Sequence, residues 1–505
     1  MKIDKKLRNR IEQIDNNLDN MVKNPYRKQS RFPLWAKFAI PIGSAALSVG
    51  LVLAIVLPIA SNANGNNVIN TNGETYTRLT EPKREKVTET ANMFMSSKTY
   101  DSYMAFSKKF TKLVMDTNNK EKEDNLAVSI PDAYLCLAIT GIISDEKGLN
   151  DVLSYFELSS IDELRVAAKE VVSTLGTLFK NKDGKLVGGF NLNSIWLNPD
   201  KVRLLREKDE ELYKDLEEIF DASLYMGALT SNKANQYLQD NGLKEMPVPS
   251  IELDDTDPAA LSVMSVFYYM DSFVEAERYL NEYKKGTHKM DYTVNGTTKE
   301  VDYIEKWMEN SKVYENEKFY GSPLWLDNSC IDFFLPNDKN ALPSSILDDV
   351  LNENYHLKTV SYIDPFDGLE KEATAHSVNI SAPYFSLDNK IELGHDDLSK
   401  VFPNLTLTGA ASRLAETFSG DPMYLDSILQ FSKTRFNYDG FYSCSVTIAQ
   451  MIPESAISVP GKFELVLDHP YVFETKKTVL LDGDKRKGRS IPAVIGEIID
   501  PVYIE

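Results

Sequence analysis

Two hydrophobic patterns occupy the first sixty residues of the chain. Between residues 3 and 21, apolar side chains recur every three or four positions, which places them on one face of an amphipathic helix: Ile3, Leu7, Ile11, Ile14, Leu18 and Met21. Residues 38–60 then form a run of 23 residues without a charged side chain. A helix of that length spans about 34 Å, enough to cross the hydrocarbon core of a bilayer. The pattern predicts one transmembrane helix over residues 38–60.

The charges before this apolar run predict its orientation. Residues 1–37 carry ten Lys and Arg against four Asp and Glu. Because basic residues collect on the cytoplasmic side of a membrane, we expect residues 1–37 to be a basic cytoplasmic segment. The rest of the chain then lies outside the cell, held at the cell membrane by a single pass. A cleaved signal peptide is the rival hypothesis, but the basic segment is much longer than that of a signal peptide and favours an uncleaved anchor.

The amphipathic face at residues 3–21 has two interpretations. It lies on the anionic inner leaflet, or it pairs with another chain in the cytoplasm, either a partner protein or a second copy. Residues 38–60 are in either case the segment expected to contact membrane lipid. The sequence leaves both interpretations open.

The pattern after the apolar run predicts a linker and then one large domain. Residues 61–90 are predicted to be an extracellular linker, because residues 61–75 are rich in Asn, Gly and Thr. From about residue 76 the pattern becomes helical, and residues 103–114 carry an apolar face. Alternating apolar and polar positions further on predict strands, whose large apolar residues are core candidates: Trp196, Phe333, Phe334 and Phe385. Residues 91–505 are expected to form the domain.

Composition and motifs disfavour several functions. The net charge is −19, and residues 61–505 alone carry −25, so no nucleic-acid partner is expected. Three cysteines, Cys136, Cys330 and Cys444, cannot form a disulfide framework. The five His residues are scattered and no Cys-x-x-Cys is present, so no metal site is predicted. Without a nucleotide-binding glycine motif or a nucleophile elbow, the sequence predicts no cofactor and disfavours an enzyme, including a membrane-tethered hydrolase.

A strand pattern that runs into a loop stands out near the C-terminus. Residues 440–448 contain no Pro and alternate small polar with larger side chains, the small ones being Ser443, Ser445 and Thr447. Pro453, Pro460 and Gly461 then interrupt regular structure. By itself this pattern is typical of an edge strand followed by a connecting loop.

Three motifs around this strand resemble the serpin family. Asp439-Gly440 resembles the acidic-Gly hinge that precedes the serpin reactive-centre loop, and residues 468–471 (Asp-His-Pro-Tyr) resemble the strand that follows the loop. Residues 492–501 resemble the closing strand, which ends in Asp-Pro. Upstream segments keep the family's order as well: residues 125–131, 190–197, 261–269, 331–336, 377–385 and 393–402. The chain is identified as similar to a bacterial-type serpin over about 400 residues.

The resemblance implies a fold and a mechanism. We expect an α+β serpin fold with a large mixed central β-sheet, additional sheets, eight or nine helices and an exposed reactive-centre loop. In serpins a protease cuts the loop, the N-terminal part of the loop inserts into the large sheet as a new strand, and the attached protease is deformed. The expected partner is therefore an extracellular serine or cysteine protease, which this chain inhibits without being an enzyme itself.

The same resemblance assigns the site residues. The hinge comprises Asp439, Gly440, Phe441, Ser443, Ser445 and Thr447, of which the last four point inward on insertion. Phe441 is large, and overpacking by its ring costs about 1–3 kcal/mol. Counting fourteen residues from Gly440 places the reactive bond between Glu454 and Ser455, which predicts a protease that prefers Glu. The alternative for Glu454 is a solvated loop carboxylate.

Two departures from the family pattern support a second hypothesis. Tyr438 occupies the position where serpins usually carry Glu, and Phe441 replaces a small hinge residue. Both would hinder insertion. The alternative function is a non-inhibitory, serpin-fold binding protein at the cell surface.

Overall fold

The computed structural model describes one compact part of the chain. The described residues are 67–69, 75–80, 87–88, 93–118, 124–176, 178–180, 186–241, 248–273, 289–326, 329–363, 369–444, 462–482 and 488–502. The chain divides into two compact units, Met1–Ser61 and Asn62–Glu505, and every described residue belongs to the second. Within these ranges no helix is both long enough and apolar enough to traverse a bilayer. The predicted cytoplasmic segment 1–37 and transmembrane helix 38–60 lie outside the described residues.

Eight helices occur in the described ranges. They are α1 (Ser97–Asn118), α2 (Ile130–Ile142), α3 (Glu146–Tyr155), α4 (Ile161–Leu175), α5 (Glu210–Glu218), α6 (Ser231–Asn241), α7 (Ser344–Leu351) and α8 (His395–Leu398). Five follow a polar residue whose side chain accepts a hydrogen bond from the backbone N–H three positions on: Ser96, Asp145, Ser160, Asp209 and Thr230. These bonds satisfy donors that the first helical turn leaves open.

Twenty-six strands accompany the helices in the described residues. The first thirteen are β1 (Asn67–Ile69), β2 (Thr75–Thr80), β3 (Val87–Thr88), β4 (Phe94–Met95), β5 (Leu126–Ser129), β6 (Leu178–Lys180), β7 (Leu186–Leu197), β8 (Val202–Leu204), β9 (Ala222–Met226), β10 (Leu261–Ser272), β11 (Lys289–Val294), β12 (Thr297–Lys312) and β13 (Tyr314–Glu315). The others are β14 (Phe319–Trp325), β15 (Cys330–Pro336), β16 (His356–Leu357), β17 (Val360–Ile363), β18 (Glu370–Ala373), β19 (Ala375–Pro383), β20 (Phe385–Leu393), β21 (Ala415–Thr417), β22 (Ile428–Asn437), β23 (Gly440–Cys444), β24 (Lys462–Val466), β25 (Tyr471–Leu481) and β26 (Gly488–Ile498).

Three larger sheets organise these strands. The main sheet has ten strands in the order β1-β2-β9-β7-β10-β23-β22-β20, with β3 and β6 attached through β7. It is mixed, since β7 and β9 are parallel while β10 is antiparallel to β7. An eight-stranded sheet runs β16-β13-β14-β15-β25-β26-β5 with β4 beside β25, and a four-stranded sheet runs β11-β12-β19-β24. The prediction of a large mixed sheet with additional sheets and about eight helices is confirmed.

The main apolar cluster joins the sheets to all of the described helices except α6. Helix α2 is buried at every residue except Cys136, as its nearly all-apolar sequence requires. The four core candidates, Trp196, Phe333, Phe334 and Phe385, are at most 1% exposed. Their burial confirms that part of the pattern analysis.

The structure differs from the sequence expectation before residue 97. Residues 67–69 and 75–80 fall in the predicted linker, but they form β1 and β2 of the main sheet. The helix expected from about residue 76 begins at Ser97. The reason is tertiary: β2 pairs with β9, and Tyr76 packs into a buried aromatic cluster that local pattern does not reveal.

Candidate functional site

The predicted hinge is the turn of a tight hairpin between β22 and β23. Tyr438 and Asp439 form its two-residue loop, and Asn437 pairs with Gly440 across it. The backbone N–H of Asp439 donates to Asn437 Oδ1 at 2.9 Å. Gly440 has φ +142°, and a Cβ there would lie 2.2 Å from the carbonyl oxygen of Asp271. Only glycine fits, because both the backbone conformation and the close approach exclude a side chain.

Strand β23, called the hinge strand below, lies inside the main sheet. It is antiparallel to β10 on one side and to β22 on the other. Ser443, for example, pairs with Tyr269 on β10 and with Thr434 on β22. The interpretation of this segment as an edge strand is therefore wrong for residues 440–444. The alternation of side chains is the same in both positions, so only the placement of β10 and β22 decides between them.

The inward face of the hinge strand is buried, and its one hydroxyl group has a hydrogen-bond partner. Phe441 and Ser443 are both fully buried. The ring of Phe441 lies 6.2 Å from that of Tyr269 and 6.3 Å from that of Phe473, measured between centroids. The hydroxyls of Ser443 and Thr434 are 2.9 Å apart. The fold thus accommodates the large Phe441 ring in an aromatic site instead of expelling it.

The outward face is closer to solvent. Tyr442 is half-buried, and the guanidinium of Arg435 lies 5.3 Å from the centre of its ring. Burial, followed by the nearby carboxylate of Asp439, raises the pKa of Tyr442 to about 12. The phenol therefore stays neutral and packs as a half-apolar ring.

A polar network that sequence analysis missed lies against the hinge. The buried Asp271 accepts a hydrogen bond from Ser329 Oγ at 2.6 Å, and Ser329 Oγ lies 2.9 Å from the Tyr269 hydroxyl. Lys306 lies 4.4 Å above the ring of Phe273, and burial lowers its pKa to about 8 despite the opposing charge of Asp271. The sequence did contain a signal for this network. Asp271 is a carboxylate in a mostly apolar strand, and a buried carboxylate needs hydrogen-bond partners.

Beyond the hinge strand, β10 and β22 continue without a described strand between them. The described residues contain no strand between residues 261–267 of β10 and residues 428–432 of β22. Residues 261–266 are only half-buried. On the other side, Gln430 Nε2 donates to Ser129 O at 2.8 Å, and Ser129 N donates back to Gln430 Oε1 at 3.0 Å. Among the described strands, residues 261–267 pair with β7 and residues 428–432 pair with β20, each on one side, so an extended segment could pair with both strands here.

The chain returns to the described part of the structure at β24, which is parallel to β19. The following Asp468 accepts from His469 Nδ1 at 2.6 Å and also pairs with Lys339. The other ring nitrogen of His469 lies 2.9 Å from Pro336 O. Burial opposes ionisation of Asp468, but the bonds from His469 and Lys339 prevail and lower its pKa to about 2. The predicted Asp-His-Pro-Tyr motif therefore anchors the base of the loop.

The structure brings together part of the predicted site. Asp439, Gly440, Phe441 and Ser443 lie in one hairpin, whereas Ser445, Thr447, Glu454 and Ser455 fall in residues 445–461, outside the described residues. No group of three or more His, Cys, Asp or Glu suited to hold a metal ion occurs in the part of the chain that the structure describes. What the described site can accept is an extended backbone.

Comparisons with known proteins bear on the fold. No family model and no curated protein matches the chain. Among solved structures, the native state of tengpin, a thermophilic serpin, matches with TM-score 0.57 and 15% identity over 83% of this chain and 98% of tengpin. The native stressed conformation of an Arabidopsis serpin matches with TM-score 0.55 and 16% identity, over 81% of this chain and all of that one. Thyroxine-binding globulin in complex with thyroxine matches with TM-score 0.55 and 11% identity, over 80% and 99%. The chain therefore has the serpin fold.

Proposed function

We propose that this chain is a membrane-anchored serpin that traps an extracellular serine or cysteine protease. In this proposal the protease cuts between Glu454 and Ser455, and the loop N-terminal to the cut inserts between β10 and β22. The chain is an inhibitor and not an enzyme. Residues 38–60 anchor it in the cell membrane, with the N-terminus in the cytoplasm.

The observation that carries the proposal is the position of the hinge strand. It already lies between the two strands that insertion would separate, and it is antiparallel to both. Loop insertion would therefore continue a ladder that has begun, adding one backbone hydrogen-bond partner on each side.

The register of that ladder defines where the next residues would go. Continuing the observed pairing puts Ser445 between Phe267 and Ser432, and it puts Thr447 opposite Gln430. Both would face inward, like Phe441 and Ser443 before them. Ser432 and Gln430 are buried and polar, so small hydroxyl side chains suit this track.

A Glu-specific serine protease tests the proposal on the full-length chain in detergent. We expect an adduct of protease and chain that survives denaturing electrophoresis, together with a rise in Tm after the loop is cleaved. Cleavage without an adduct and without stabilisation would overturn the inhibitory mechanism. Stabilisation without an adduct would show that insertion occurs and that the assigned bond is wrong.

Two loop variants sharpen this test. Thr447→Arg would carry a charge into the buried face of the sheet, so we expect normal cleavage but no adduct. Val446→Arg, one residue earlier, would place the same charge on the opposite face and is the matched control. Equal adduct formation by both variants would contradict the proposed register.

The alternative is a non-inhibitory, serpin-fold binding protein at the cell surface. Tyr438, which stands where serpins usually carry Glu, favours this alternative. Thyroxine-binding globulin is a structural neighbour described in complex with a small ligand. Failure of both the adduct and the stabilisation would favour this function.

A further inference from the structure

The four-stranded sheet β11-β12-β19-β24 has an outer face that carries an exposed tryptophan. On β12, Ile304 and Met308 are at most 9% exposed and point inward. Side chains alternate along a strand, so Tyr303, Glu305 and Trp307 point outward. Trp307 is 45% exposed. Nearly half of a large aromatic side chain therefore meets solvent on the surface of a sheet.

The side chains around Trp307 are polar. Asn379 of β19 lies directly opposite Trp307, and Glu464 of β24 lies opposite Asn379. The side-chain amide of Asn379 donates a hydrogen bond from Nδ2 to Glu305 Oε1 at 2.6 Å. Lys462 Nζ lies 5.7 Å from the centre of the Trp307 ring. This face therefore offers an amide, two carboxylates and an ammonium group around one aromatic ring.

A second aromatic ring lies on the same face of β12. Tyr303 is four residues before Trp307, which places the two Cα atoms about 14 Å apart at the rise of an antiparallel strand. Glu305 lies between them on the same strand, held by its bond from Asn379. The face therefore has two aromatic rings with hydrogen-bonding groups between them, and a ligand that reaches both rings has to be extended.

The mixture of groups indicates the kind of ligand. A protein partner needs a contiguous apolar patch at the centre of its interface, but the exposed Val466 lies two strands away from Glu305. A sulfated or acidic glycan is disfavoured, because Glu305 and Glu464 outnumber Lys462. A neutral sugar has a face of C–H groups that packs on an aromatic ring, and its hydroxyls bond to amides and carboxylates.

We propose that the outer face of β12 and β19 is a binding site for a neutral oligosaccharide. Trp307 stacks on one sugar ring and Tyr303 on another, while Glu305 and Asn379 bond to the hydroxyls between them. The hydrogen bond from Asn379 to Glu305 orders both side chains before the ligand arrives, which reduces the entropy lost on binding. The site does not rest on the proposed function, since none of these four residues belongs to the hinge or the reactive-centre loop.

Titration of the full-length chain with cellohexaose, maltohexaose and xylohexaose tests the site. The chain is kept in a polyoxyethylene detergent, because the sugar headgroup of a maltoside detergent would compete. We expect at least one hexamer to give a calorimetric binding isotherm and to shift the indole N–H resonance of Trp307. Trp307→Ala should weaken that binding about tenfold or more. Phe418→Ala removes a ring that is 57% exposed outside this sheet, and as the matched control it should leave binding unchanged.

The length of the ligand tests the second ring. Tyr303→Ala should weaken binding of the hexamer and leave binding of the corresponding disaccharide unchanged. The site is refuted if the parent chain binds none of the three hexamers, or if Trp307→Ala binds them as well as the parent does. Binding of dextran sulfate without binding of any hexamer would refute the neutral class of ligand. The protease adduct and the rise in Tm after cleavage are measured without sugar, so the proposed inhibition stands or falls separately.

Discussion

Replacing Phe441 by Ala tests whether the hinge strand is held in the sheet by its aromatic contact. The ring is fully buried between those of Tyr269 and Phe473. Truncating a buried Phe to Ala costs about 3–5 kcal/mol when the site cannot collapse. The hinge strand is only five residues long, so a loss of this size falls mostly on local opening and less on the whole domain.

Native-state hydrogen exchange measures the opening directly. Since each 1.4 kcal/mol corresponds to a factor of ten, a loss of about 3 kcal/mol speeds exchange at residues 441–444 by about a hundredfold. Exchange in the strands of the eight-stranded sheet should change much less. The same variant should also become more sensitive to proteolysis at the hinge.

Tyr442→Ala is the control for this prediction. Tyr442 lies on the same strand but faces outward and is only half-buried under Arg435. Its removal should speed exchange by about tenfold at most, because a partly solvated ring contributes less apolar burial. The reasoning is refuted if Phe441→Ala and Tyr442→Ala open the hinge strand equally, or if neither opens it.

Three further substitutions probe the turn, the buried Glu474 and the half-buried Asp468. Gly440→Ala should lower the stability of the fold by about 1–3 kcal/mol and expose the hinge strand, as measured by Tm. The control is Gly296→Ala, which also has a positive φ but has open space around it and should lower Tm less. Burial raises the pKa of Glu474 to about 6, above its ordinary 4.5, although the ammonium of Lys476, 2.7 Å away, opposes the shift. The fold therefore loses stability as the pH rises from 4.5 to 6 and regains it as the pH falls. Glu474→Gln should therefore gain about 1 kcal/mol more relative to the parent at pH 8 than at pH 5 in urea titrations, and an equal effect at both would contradict this assignment. The lowered pKa of Asp468, about 2, implies stability that is present above pH 4 and lost as the pH falls through 2. Asp468→Asn should therefore cost about 1–2 kcal/mol at pH 7 and much less at pH 2.

Much of the fold follows from local pattern. The long helix at residues 97–118 and the strands at residues 186–197 and 261–272 have the periodicity and composition of their elements. The resemblance of residues 468–471 to the family motif located the strand that follows the loop, and β25 does begin at Tyr471. The order of these segments, together with the motifs, led to the serpin fold.

Part of the candidate site was also accessible from sequence. Gly440 marked the turn, and the alternation after it identified Phe441 and Ser443 as one face. The alternation could not show which strands lie on either side of residues 440–444, since side chains alternate with the same period in an edge strand and in an interior strand. Asp271, Ser329 and Lys306 come from three separate elements, so no spacing along the chain links them.

Local pattern was enough to predict several helices and strands, their order along the chain and the residues on one face of each, because propensity, periodicity and glycine geometry act over a few neighbouring residues. The fold was needed to show that residues 440–444 lie between β10 and β22, that an aromatic site holds Phe441, and that residues 67–69 and 75–80 join the main sheet. These outcomes depend on contacts between residues far apart in the chain, such as Tyr76 with Trp196 and Phe441 with Tyr269. Their free energy arises from burial and pairing between elements, which no local pattern encodes.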